Sequence, residues 1–182
     1  MIDHMPKTLI LGVGNVLMGD EGVGVHAVRL LEHDPRPLPA AVVDGGTGGF
    51  HLLGYFEEYD PIVMIDASMD GKQAGTVSLI RPRFASDFPR VLSAHDIGLR
   101  DLLESASLLR PLPGMFLITV SVESLQPMKL ELSPSVSAAL PKVTEMVRRV
   151  VDSLSVSAGC QTAPLTSSQS SPGRRPGPAS LT

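Results

Sequence analysis

Residues 9–24 read "LILGVGNVLMGDEGVG", and the reading of this stretch decides the fold. Leu9, Ile10 and Leu11 run into Gly12 and Gly14, as a buried strand does when it ends in a tight turn. Past the loop, Val23, Ala27, Leu30 and Leu31 fall at i, i+4, i+7 and i+8, the spacing of a helix with one apolar face. Strand, glycine loop and helix in that order open an α/β unit. Between the glycines and the helix stand two acids, Asp20 and Glu21, at the place where a nucleotide-binding protein of this pattern seats its phosphates.

Outward from that stretch, four more apolar runs are bounded by Gly, Pro or Asp. They are "AAVVD" (40–44), "PIVMIDA" (61–67), "GTVSLIR" (75–81) and "GMFLITVSV" (114–122). Unbroken runs of Val, Ile and Leu predict strands of a mostly parallel sheet covered on both faces. The link "SMDGKQA" (68–74) is too short for a helical crossover, so 75–81 is expected to return antiparallel. Leu99, Leu102, Leu103 and Ala106 form a further helical stripe, and a last helix opens at "SPS" with Ser133 as cap, Pro134 in its first turn and Pro141 as a kink. The expected fold is a three-layer α-β-α arrangement with a mostly parallel twisted sheet and helices on both faces.

Residues 1–154 read as one α/β domain of the 182-residue chain. Residues 155–182, with "TSSQSSPGRRPGPAS" and no aromatic side chain, read as a flexible Ser/Pro/Gly-rich tail that buries too little to offset its ordering entropy. A net charge of -4 offers a nucleic acid no basic face. No apolar run is long enough for a membrane helix. A single cysteine, Cys160, makes no internal disulfide, and the first residues lack the basic segment and cleavage site of a secretory signal, so the cytoplasm is the expected compartment.

In a doubly wound sheet, ligands collect at the carboxyl ends of the strands. The loops there are "GNVLMGDEGVG", "DGGTGG" (44–49) and "DAS" (66–68), with "SAHD" (93–96) before the 99–106 helix. For a dinucleotide, Gly12 and Gly14 supply the first two glycines, and Asp44 is placed to accept from a ribose hydroxyl. The third glycine position holds Leu17, however, and the acids repel a pyrophosphate. The nucleotide reading is the weakest.

Taken singly, Asp20 and Glu21 read as acids in a helix's first turn, and Asp44 and Asp66 as strand-ending turn residues. His95 is more telling, because "SAHD" matches a capping box that puts it in a first helical turn, where the helix dipole favours the neutral, metal-binding imidazole. Glu21, Asp66 and His95 together are two carboxylates and an imidazole arriving at one rim. They make the donor set of an open divalent site suited to zinc, nickel or manganese.

The ordered motifs "LGVGNVLMGDEGVG", "DGGTGG", "IDAS" and "SAHDIGL", followed by "SVESLQPMKLELSPSV" (121–136), resemble those of the nickel-iron hydrogenase maturation endopeptidases over about residues 8–150. The resemblance implies an α/β protease that removes a short C-terminal peptide from the nickel-loaded large subunit of a hydrogenase, with that precursor as partner. It implies that Glu21, Asp66 and His95 contact the nickel, and less directly that the loop at Asp44 handles substrate. Three mechanisms stay open at this point. The nickel arrives with the substrate; or it, or another divalent ion, is a resident catalytic metal with Glu21 or Asp44 as base; or two acids act as an aspartyl-protease-like pair. The alternative to cleavage is a chaperone that binds nickel or the precursor without cutting.

Overall fold

The computed structural model describes residues 8–82, 104, 107, 108 and 111–160. Strand β1 (Leu9–Gly12) is followed by a 3-10 turn (Gly19–Gly22), helix α1 (Val23–Glu32) and strand β2 (Ala41–Asp44). A second 3-10 turn (Phe50–Leu52) leads into helix α2 (Leu53–Glu58) and strand β3 (Ile62–Ser68). Then come β4 (Val77–Ile80), β5 (Met115–Ser121) and helix α3 (Pro134–Cys160).

The sheet has the order β2-β1-β3-β5-β4. Its first four strands are parallel, and β4 pairs antiparallel with β5. The expected reversal of β4 is therefore present. The short link also carries the chain past one strand position, and β5 later fills the gap between β3 and β4.

Alternation of side chains along the strands divides the core in two. Ile10, Val63, Ile65, Ile118 and Val120 pack under α1 and α3, whose Val23, Ala27, Val28, Val143 and Val147 are buried against them. Leu9, Leu11, Met64 and Leu117 face the other way and are covered by Leu52 and Phe56 of the second turn and α2. Each such buried side chain contributes about 1.5–3 kcal/mol. The three-layer α/β architecture expected from the sequence is the one observed.

Some details differ. Leu30 is exposed, and Val28 takes its place on the buried face of α1, because adjacent residues of a 3.6-residue repeat point about 100° apart and cannot share one narrow stripe. Helix α2 follows "DGGTGG" and was not legible: in six residues an apolar period cannot repeat. Ser133 does stand just before α3, yet its hydroxyl finds no hydrogen-bond partner among the described residues, and its backbone N–H instead donates to Asp20. Helix α3 runs through Pro141 without interruption and on to Cys160, past the domain boundary placed at 154. The stripe Leu99, Leu102, Leu103 and Ala106 lies outside the described residues.

Candidate active site

The parallel register fixes where the acids stand. Gly12 of β1 is level with Ile65 of β3 on one side and with Asp44 of β2 on the other. Asp66 is one residue further along β3, level with Thr119 of β5. These positions form the carboxyl rim of the sheet, where the loops were expected to meet.

Across that rim runs the 3-10 turn that carries Asp20 and Glu21. It is drawn tight against the strand ends by glycine. A methyl group on Gly14, whose φ is 137°, would overlap the carbonyl of Glu21, and one on Gly24 would overlap the carbonyls of Val13 and Ile65. The glycines therefore let the chain approach its own backbone, bringing the start of α1 onto the end of β3.

Neither acid caps α1: Gly22 is its N-cap, without a side-chain hydrogen bond. The two neighbours have separate duties. Buried Asp20 accepts from the Ser133 backbone N–H at 2.6 Å and from Gln126 Nε2 at 3.2 Å, while its own N–H donates to Gln126 Oε1 at 3.1 Å. This two-way clamp fastens the turn to the segment that leads into α3.

Glu21 is 5% exposed and Asp66 4% exposed. Burial pushes the Asp66 carboxyl well above its ordinary value, and the neighbouring Glu21 charge pushes it further. The Ala67 N–H, donating to Asp66 Oδ1 at 2.7 Å, opposes this incompletely. Two buried acids near enough for their charges to interact resist joint ionisation unless a cation joins them.

Asp44 does not join this pair. It accepts from Arg29 at 3.1 Å and from the Gly46 N–H at 2.9 Å, on a partly exposed edge of the sheet. His95 lies outside the described residues, as do Ser93 and Asp96. Among the described residues no three His, Cys, Asp or Glu side chains group closely enough to hold a metal ion. No described helix is long and apolar enough to cross a membrane.

Beyond Asp66 a cleft of about 550 Å³ opens at the ends of β3 and β5, lined by Met69, Lys72, Gln73, Val122, Glu123 and Ser135 among others. It continues the rim on which the acids sit.

A buried acid pair on a doubly wound sheet suits several chemistries, and comparison with known proteins decides among families. The model of the hydrogenase maturation protease family matches residues 25–150. The chain belongs to the hydrogenase maturation protease family. The hydrogenase 2 maturation protease of Escherichia coli is 35% identical over 145 residues, covering 78% of this chain and 88% of its own. The hydrogenase expression/formation protein HupD of Bradyrhizobium diazoefficiens is 31% identical over 174 residues, covering 90% and 87%. Among solved structures, the hydrogenase maturating endopeptidase HybD from E. coli superposes with a TM-score of 0.68 at 29% identity, covering 81% of this chain and 93% of that one.

This maturation protease is thus a peptidase, and its acid pair is the natural place to look for the chemistry. Gln126 is the residue that sequence reasoning missed. It lies 106 positions from the acid it clamps, so no local spacing signals the contact. Its segment was marked only by the resemblance of "SVESLQPMKLELSPSV" to a family motif.

Proposed function

We propose that this protease removes a short C-terminal peptide from the nickel-loaded large-subunit precursor of a nickel-iron hydrogenase, and that Glu21, Asp66 and His95 contact nickel carried by that precursor. The observation behind the reading is the buried Glu21–Asp66 pair, in a chain whose relatives are hydrogenase maturation proteases. A cation brought by the substrate relieves the repulsion between these carboxylates. An empty precursor brings no such relief, and that difference in affinity gates cleavage. Oxygen and imidazole donors add to an ion already held by softer thiolates without stripping it away. Water is the nucleophile: its oxygen joins the peptide carbonyl, the C–N bond breaks, and the departing amine takes a proton.

A second reading has one observation in its favour. The Glu21 charge raises the Asp66 carboxyl, as in two acids that share a proton and act without metal.

Incubation of the protein with nickel-loaded and nickel-free precursor, followed by electrophoresis, tests both. Only the loaded form is expected to shift, and Asp66→Asn or His95→Ala should leave it unshifted. Equal cleavage of nickel-free precursor would overturn the gate and favour the acid pair. Full-rate cleavage by both variants would overturn the site. Binding of the loaded precursor without any shift would make the protein a chaperone.

A further inference from the structure

Three large apolar side chains stand in solvent beside the acid pair. Leu17 is 52% exposed, Met128 89% and Leu130 57%. They are neighbours, because Met18 pairs with Lys129 in a parallel bridge and the Gly19 N–H donates to the Lys129 carbonyl at 2.7 Å. The two short segments that carry them are tied together by hydrogen bonds. Asp20 grips the second segment at Gln126 and at Ser133, on either side of the apolar pair, and the Gln126 N–H donates to the Met18 carbonyl. Met128 itself sits at φ 62°, a left-handed conformation that a side chain of its kind rarely adopts.

A chain that only needed to fold would place polar residues, or a glycine, at such positions. Here buried polar contacts hold the apolar groups outward, in a pre-ordered arrangement that lowers the entropy cost of binding. The shelf is continuous with the active-site rim, since Leu17 lies just before the turn that presents Glu21.

We propose that Leu17, Met128 and Leu130 form a docking shelf for an apolar segment of the large-subunit precursor next to the bond to be cut. The inference rests on the proposed function. A peptidase must hold the polypeptide near its scissile bond, and these three are apolar groups that the fold ties to the turn carrying Glu21. A second copy of the chain fits less well: three side chains fall far short of the roughly 800 Å² per partner that a stable dimer buries.

The test is cleavage of nickel-loaded precursor under steady-state conditions by the wild-type protein, by M128Q/L130Q and by Met128→Gly. Both variants should raise KM on the order of tenfold, with kcat kept within about threefold. Met128→Gly accepts the left-handed backbone without strain, so its thermal midpoint should equal or exceed that of the wild type. A raised KM in that variant is then a loss of docking and cannot be a loss of folding. If the wild type cleaves and both variants keep KM within about twofold, the shelf is wrong and the proposed function stands. If the wild type leaves the loaded precursor intact, the proposed function itself fails. Light scattering that shows a wild-type dimer, dissociated by M128Q/L130Q with KM unchanged, would assign the surface to self-association and overturn the proposal.

Discussion

Replacing Asp66 by Asn should make the free protein more stable while abolishing its activity. The carboxyl is almost fully buried, and its pKa is raised first by lost hydration and then by the Glu21 charge. Asn keeps a side-chain oxygen for the Ala67 N–H, which donates at 2.7 Å, and it removes the ionisable group. At about pH 3 and below, Asp66 is protonated in nearly all of both the folded and the unfolded chain, so its titration costs almost nothing. As pH rises past its unfolded value of about 3.8, the unfolded chain releases the proton while the folded chain retains it. Wild-type stability therefore falls with rising pH, up to the raised folded pKa, and the Asn variant escapes that loss.

The gain at neutral pH is about 1–2 kcal/mol, the scale on which a single well-chosen substitution commonly stabilises a fold. For a chain of this size that is about 2–8 °C in Tm. Thermal unfolding followed by circular dichroism at about pH 3 and at neutral pH measures it directly. The Tm difference should grow from near zero at the lower pH to its full value at the higher. Cleavage of the loaded precursor should fall by about 100-fold or more, since even a group behind a metal ligand costs 10–100-fold when removed. An Asn variant less stable than wild type at neutral pH, or a difference independent of pH, would refute the electrostatic account of the pair.

Asp20→Ala should destabilise the fold by about 2–3 kcal/mol, because it removes a buried acceptor of two hydrogen bonds; urea unfolding midpoints measure the loss. Gly24→Ala should cost about 2–4 kcal/mol by forcing α1 off the carbonyls of Val13 and Ile65, read as a lowered Tm or as insoluble expression. Arg29→Ala frees Asp44 from its exposed ion pair and should change stability by less than about 1 kcal/mol, with cleavage of the loaded precursor unaltered if Asp44 is not the base. Deleting residues 161–182 should leave cleavage of the loaded precursor unchanged on a gel; lost cleavage with an intact circular dichroism spectrum would give those residues a role in processing.

How much of this was legible varies by element, for physical reasons. The strands and α1 announce themselves because burial on both faces demands unbroken apolar runs, and one covered face demands a helical stripe. The reversal of β4 was legible from the length of its link. Its slot was not, since β5 enters the sheet only later in the chain. Among the candidate site residues, the sequence placed Glu21, Asp66 and Asp44 on loops of one rim; taken singly, Asp20 and Glu21 read alike as first-turn acids, and the family resemblance pointed to Glu21.

What the sequence alone determined is therefore the α/β plan, the motifs that mark the family and the loops that bear acids, all set by local pattern and chain order. Only the tertiary structure divided the labour among those acids. Successive side chains on a 3-10 turn point about 120° apart, so Asp20 turns to Gln126 and Ser133 while Glu21 comes near enough to Asp66 for their charges to interact. Asp44, another carboxylate level with the same rim, is held by Arg29. Which of several like charges becomes a site depends on what each meets after folding, and those partners lie far away along the chain.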